Sequence, residues 1–275
     1  MDIQFPYNPT RVAFAGDWHG NGRFAAHAIA GARAAGAQMV VQLGDFGVWS
    51  GALGQRYLDV VDLAASRAGV IVAFIDGNHE DFDLLESFDV NDGLRRLRDG
   101  VWHIPRGTRW TWEGLRFVAL GGGTSLDRGR RTPGLSWWYQ EAVTPAQAEQ
   151  VIADGPGDVF LTHDCPDGVV IPGIDRESSL KSWPERELRA AWAHRDLLAL
   201  VASVVAPTHL LHGHFHIRYT AQARLSSGAL TLVEGLADDG GDGNWIVVDL
   251  AEMAAESRLQ QAMRGNSDFI EDDAI

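Results

Sequence analysis

Residues 11–19 read Arg11-Val12-Ala13-Phe14-Ala15-Gly16-Asp17-Trp18-His19. A short apolar run stops at a glycine and then presents a carboxylate and an imidazole. The same pattern returns twice downstream. Met39 to Leu43 (MVVQL) runs into Gly44-Asp45, and Val70 to Ile75 (VIVAFI) runs into Asp76-Gly77-Asn78-His79-Glu80. Runs this short and this apolar suit strands covered on both faces. Between them lie Asn21 to Ala35, Ala-rich and stopped by Gly36, and Leu53 to Ala68, both of helical length and pattern. The alternation predicts a βαβαβ unit, hence an α/β protein built on a parallel sheet under helices.

Beyond this unit the accent changes. Arg109 to Leu120 reads as a hairpin turning at Glu113-Gly114, and a Gly-, Arg- and Trp-rich loop follows from Gly121 to Glu141. Thr144-Pro145 marks a helix start, with the helix running to Ala153. Further strands are predicted at Asp158 to Thr162, Thr208 to His212, Ile217 to Ala223, Ala229 to Glu234 and Trp245 to Leu250, with a long helix from Pro184 to Ser203. No repeat or linker divides the chain, so residues 1–265 are expected to form a single domain. Residues 266–275 are acidic and short of apolar groups, and are expected to form a mobile tail.

The chain has 275 residues, 45% of them hydrophobic and 22% charged, an ordinary globular balance with enough length for a full core. No signal peptide or membrane-length apolar run is visible, and the single Cys165 gives no internal disulfide, so a cytoplasmic protein is expected. A net charge of −14 argues against broad nucleic-acid binding. It also means that an anionic substrate would need cations at the site to receive it.

Ligand-type side chains gather where the predicted strands end: Asp17 and His19, Asp45, Asn78 with His79, His163, and His214 with His216. In open α/β sheets, ligands collect beyond the carboxyl ends of strands. Carboxylates, imidazoles and an amide without thiolates suit divalent ions such as manganese, iron, zinc or nickel. The set is too large for one ion and right for two that share a carboxylate. Taken singly, Asp17 and Asp45 are as readily helix caps or turn residues, and a lone His163 or His214 would sooner be a hydrogen-bonded core histidine. The ordered set carries the reading, because five of the ten histidines fall in it.

The series DxH, GD, GNHE, H and GHxH, spanning Asp17 to His216, resembles the calcineurin-like metallophosphoesterase superfamily, in particular its bacterial and phage members. That resemblance implies two mixed β-sheets sandwiched between helices, and a dinuclear metal centre with manganese as the favoured ion. It further implies that Asp17, His19 and His216 hold one ion, that Asn78, His163 and His214 hold the other, and that Asp45 bridges them. His79 would stand beside the phosphate as the catalytic residue and assist the leaving group, while the ion pair activates a bridging water.

The sequence departs from the phosphoprotein-phosphatase branch, whose second motif reads GDxVDRG. Here the chain has Gly44-Asp45-Phe46-Gly47-Val48-Trp49, without the second acid or the phosphate-binding arginine. The loop bearing Arg128, Arg130 and Arg131, with Trp137 and Trp138 after it, is the candidate replacement for substrate binding; the plainer reading leaves the arginines solvated and has the tryptophans anchor the long loop. The expected activity is hydrolysis of a small nucleotide-like phosphodiester. The alternatives are a phosphomonoesterase or protein phosphatase, and a non-catalytic metal-binding scaffold. His212 is expected to pack or to support a ligand, Asp164 to orient a ligand or close a turn, and Asn21 to cap a helix.

Overall fold

A computed structural model describes residues 2–271 of the chain. The first half runs β1 (Arg11–Ala15), α1 (Gly22–Ala34), β2 (Met39–Leu43), α2 (Gly51–Ala68) and β3 (Ile71–Ile75). A short helix α3 (Phe82–Ser87) and three strands follow, β4 (Val90–Asn91), β5 (Leu94–Arg98) and β6 (Val101–His103). The hairpin β7 (Arg109–Trp112) and β8 (Leu115–Leu120) leads through the glycine-rich loop to α4 (Pro145–Ala153) and β9 (Val159–Thr162). Then come α5 (Arg176–Ser182), α6 (Glu185–Val205), β10 (His209–His212), β11 (Tyr219–Arg224), β12 (Leu230–Gly235), β13 (Trp245–Asp249) and α7 (Leu250–Glu271).

The strands form two sheets, ordered β13-β1-β2-β3-β6-β5-β4 and β11-β12-β10-β9-β8-β7. In the first, β1, β2, β3 and β6 are parallel and the outer strands antiparallel. In the second, β8, β9, β10 and β12 are parallel and both edges antiparallel. Two mixed sheets with flanking helices are therefore the architecture. The period-two alternation of side chains explains why the apolar runs are continuous. Val12, Phe14, Val41, Leu43 and Ile75 face the second sheet and meet Trp110, Phe117, Val159 and Leu211 there. Their neighbours Ala13, Ala15, Val40 and Phe74 turn outward to Ile29, Leu58 and Val61 of α1 and α2. On the far side Val118, Phe160 and Leu210 pack on Leu198, Val201 and Val205 of α6.

The caps follow the sequence signals. Asn21 Oδ1 accepts from Phe24 N at 3.1 Å, and Thr144 with Gln147 forms a reciprocal capping box behind Pro145. Elements that the sequence reading leaves unassigned are α3, β4 to β6 and α5. The strands β4 to β6 extend the first sheet beyond β3, with Leu94, Leu97 and Val101 inward and arginines between them. Helix α7 runs into the segment expected to form the tail, and residues 272–275 lie outside the described residues. Among the described residues, no helix is long and apolar enough to cross a membrane.

A buried ion pair ties the end of β3 to the loop after β6 and to the segment before α4. Arg106 Nε donates to Asp76 Oδ2 at 2.7 Å, His103 Nε2 lies 3.2 Å from Oδ1, and the guanidinium also donates to the Glu141 and Ala142 carbonyls. Burial opposes the charge on Asp76, but Arg106 and His103 outweigh it and hold the carboxyl below its usual range. The stability this contributes is present above that range and is lost as pH falls through the depressed value. Arg106→Leu is expected to cost about 3–5 kcal/mol at pH 7 by stranding a buried carboxylate. In urea unfolding the gap to the parent protein should narrow at pH 4, where the variant's Asp76 takes up a proton; a gap independent of pH would exclude this pair as the cause.

Candidate metal centre

The loops that follow β1, β2 and β3 in one sheet and β9 and β10 in the other meet at one end of the sandwich. Asp45 joins three of them. Its carbonyl accepts from Trp18 N and His19 N at 3.1 and 2.8 Å, and its Oδ1 accepts from Asn78 N and His79 N at 2.8 and 2.9 Å. Glu80 holds the same loops from behind, since its two oxygens accept from Phe46 N and Gly77 N. Burial, then repulsion from Asp45 and Asp76, lifts the Glu80 pKa to about 8. Seven non-glycine residues among those described have left-handed backbones, and four are His19, Asp45, His214 and His216. Such a concentration of unfavourable φ marks a place where side-chain direction outranks backbone comfort. Glycine is required beside these residues for space as well. A Cβ on Gly77 would collide with Asp45, and one on Gly213 with Asp17 Oδ1.

Three histidines point one nitrogen outward to an acceptor and the other inward. His163 Nδ1 donates to the Leu43 carbonyl at 2.8 Å, His19 Nδ1 meets Asp239 at 3.0 Å, and His216 Nδ1 meets Asp238 at 3.3 Å. With Nδ1 protonated, a neutral ring turns a bare lone pair at Nε2 toward the centre. There the Nε2 atoms face carboxylates. His216 lies 3.1 Å from Asp17 Oδ2, His19 lies 3.6 Å from Asp45 Oδ2, and His163 lies 3.4 Å from Asp45 Oδ1. Asp17 Oδ2 is buried and accepts no hydrogen bond. Lone pairs facing lone pairs call for a cation, either a proton on each ring or divalent ions between them. Burial disfavours charge on His19 and His163, yet Asp45 with Asp17 overrides it and lifts their pKa values to about 9 and about 10. Asp17, His19 and His216 bring ligand atoms within 4.8 Å of one another, as do Asp17, Asp45 and His163. The residues therefore fit divalent ions with nitrogen and oxygen ligands.

Asn78 is directed by its amide. Its Nδ2 donates to Ser125 Oγ at 3.0 Å, and Ser125 Oγ donates to Glu141 Oε2 at 2.6 Å. This chain turns Oδ1 inward, 3.1 Å from His163 Nε2. The His214 ring stands edge-on to His163 with centroids 4.9 Å apart, and burial, with Asp164 opposing, lowers its pKa to about 4. It is thus a neutral ring at ordinary pH. Asp164 receives Cys165 N and pairs with His194 Nδ1 at 2.7 Å, which anchors α6 behind His163. His212 is buried, held by the Gly213 carbonyl and the Tyr219 hydroxyl, and burial lowers its pKa to about 4.

His79 Nε2 lies 3.8 Å from Asp45 Oδ2 and 3.1 Å from Arg131 Nη2. Arg131 is braced by Asp127, whose Oδ1 accepts from Nε at 2.7 Å. Burial lowers the His79 pKa, and Arg131 and His19 lower it further against Asp45. The other expected substrate residues sit elsewhere. Arg128 lies over the Trp137 ring at 4.1 Å, and Arg130 is on an exposed 3-10 turn. Trp137 and Trp138 are buried and do not line the cleft over the candidate ligands. Trp138 donates to Asp83 of α3 and packs with the α1–α2 core, so it anchors the long loop instead of walling the site. The cleft's aromatic residues are instead Trp183, Trp192 and Phe215.

Asp238, Asp239, Ser125 and Glu141 are the supporting residues that the motif reading leaves out. The first two carry a visible signal, an acidic glycine-rich stretch directly after the strand that becomes β12. Ser125 and Glu141 carry none, because only the folded loop brings them together.

The family described as calcineurin-like phosphoesterase matches residues 10–218. Protein TT1561 of Thermus thermophilus has a similar structure, with TM-score 0.54 and 13% identity over 89% of this chain and 96% of that one. A dimetal phosphatase from Danio rerio aligns with TM-score 0.49 and 15% identity over 84% and 88% of the respective chains. At such identities the first likeness is one of fold alone. No curated protein matches the chain.

The Asn78–Ser125–Glu141 chain gives a direct test. Ser125→Ala leaves a buried amide hydrogen and a buried carboxylate oxygen unpaired, at an expected cost of about 1–3 kcal/mol. Urea unfolding in chelator should show the loss, and a double-mutant cycle with Glu141→Gln should return a coupling of about 0.5–3 kcal/mol.

Proposed function

The chain belongs to the calcineurin-like phosphoesterase family, and on that premise we propose that it hydrolyses small nucleotide-like phosphodiesters with two divalent ions, manganese foremost. Metal-dependent hydrolysis of phosphoesters is what the family membership carries; the diester, the metal and the residue roles are our reading. One observation supports that reading above the others. The two carboxylate oxygens of Asp45 face different histidines, Oδ2 toward His19 and Oδ1 toward His163. On this basis Asp17, His19 and His216 hold one ion, Asn78, His163 and His214 hold the other, and Asp45 is shared. When bound, such a pair supplies Lewis acidity that makes water nucleophilic at neutral pH and steadies phosphate oxygens.

The chain's own residues then have distinct tasks. Asp238, Asp239 and the Leu43 carbonyl hold the Nδ1 protons of His216, His19 and His163, so that each Nε2 stays a ligand. With the Arg131 guanidinium turned to the phosphate, His79 Nε2, as N–H, would donate a hydrogen bond to the leaving oxygen. Arg131 presents its guanidinium at the same spot and is positioned to clamp a phosphate oxygen. A diester carries one negative charge, whereas a monoester carries nearly two near neutral pH. Among the described residues lining the cleft, Arg131 is the arginine that faces His79, and the arginine of the phosphoprotein-phosphatase motif is missing; this charge balance favours the diester.

Bis(p-nitrophenyl) phosphate is expected to give a higher kcat/KM than p-nitrophenyl phosphate after manganese is restored to chelated protein. The reverse order would make the enzyme a monoesterase. His79→Ala should lower kcat by about 10²–10⁴-fold while metal content by elemental analysis stays near that of the parent. Asp45→Ala should lose metal outright, and loss of metal from the His79 variant would move that residue into the ligand set.

A further inference from the structure

The cavity above the candidate ligands has a volume of about 510 Å³, within the range of sites that enclose an organic ligand and beyond what a bare phosphate requires. One end holds His19, Asp45, Asn78, His79, His214 and His216. Much of the remaining lining is apolar, beside Asp127, Asp164, Ser179 and Arg195. Leu188 and Trp192 reach it from one face of α6, Trp183 from the corner where α5 gives way to α6, Ile174 from the loop before α5, and Phe215 from between His214 and His216. Trp183 and Ile174 remain 39% and 40% exposed, so neither is absorbed by the core. Phe215 is held in place: Arg195 lies 5.4 Å from its ring centroid and donates to the Cys165 and Pro166 carbonyls. Arg195 is therefore occupied with the wall itself, and among the described residues lining the cavity Arg131 is the cation turned to the histidine end.

We propose that this apolar wall is a subsite for a flat aromatic group carried by the substrate, whose single phosphoryl group lies at the histidine end. Nucleobase-like rings belong to this class; sugar phosphates do not. The argument rests on the phosphodiesterase reading above and narrows it. The part-exposed Trp183 indole and the fixed Phe215 ring offer stacking and edge contacts to a planar partner.

The test keeps the leaving group constant. Methyl, phenyl and 1-naphthyl p-nitrophenyl phosphates are compared with the manganese-loaded enzyme, and binding of methylphosphonate and 1-naphthylphosphonate is measured by calorimetry. From methyl to naphthyl, kcat/KM is expected to rise about 10- to 100-fold, the scale of burying an aromatic ring, and chiefly through KM. Naphthylphosphonate should bind correspondingly tighter than methylphosphonate. Trp183→Ala, a change at a partly exposed position, and Trp192→Phe should each pull both ratios toward one. Equal kcat/KM along the series, equal phosphonate affinities, or ratios untouched by either substitution would overturn the subsite. If no diester is cleaved while naphthylphosphonate still binds tighter and Trp183→Ala abolishes the difference, the diester reading falls and the aromatic subsite stands.

Discussion

Asp45 is the residue on which the rest of the site depends. Its backbone takes a left-handed turn that frees the carbonyl to receive two amides from the loop after β1. Its carboxylate receives two more from the loop after β3 and still faces His19 and His163. Few side chains other than Asp could do this, because the group must be short, doubly accepting and anionic. The close approach of Gly77, where any Cβ would strike Asp45, belongs to the same requirement. So does Glu80, which fastens the two loops from the buried side.

The electrostatic character of this end of the molecule follows from that arrangement. Asp17, Asp45, Asp238 and Asp239 converge on three imidazoles in a chain that is already strongly acidic. Carboxylates so close repel one another unless positive charge is brought among them. The histidines respond by holding protons more tightly than usual, as the raised values at His19 and His163 indicate. Cation uptake at such a centre is therefore coupled to proton release, and metal affinity will be stronger in neutral than in acidic solution.

How much of this was legible in the sequence depends on where each contact is made. Strands buried on both faces leave continuous apolar runs, so β1, β2, β3, β9 and β10 could be read, together with the ligand-type residues at their ends. Strand β5, with the sequence LRRLR, is an outer strand whose arginines break the alternation, and nothing local distinguishes it from a polar loop. Helix α5 is short and exposed and has no apolar stripe to announce it. Inside the glycine-rich loop, composition marks Arg128, Arg130 and Arg131 alike, and only the Asp127 brace singles out Arg131. For the two tryptophans there, composition left open whether they wall the site or anchor the loop, because their partners Asp83 and Arg128 show only in the folded chain.

The ligand-type residues come from both sheets, with Asp17, His19, Asp45 and Asn78 following strands of one and His163, His214 and His216 following strands of the other. The separation between the two groups is thus set by how the sheets rest on each other, through contacts such as the Phe14–Phe117 stack at 6.5 Å. The sandwich interior works as a spacer. A side chain trimmed or enlarged in that layer alters the gauge of the site without touching any residue in it. For this fold, the boundary between core mutation and site mutation runs through the middle of the hydrophobic interior.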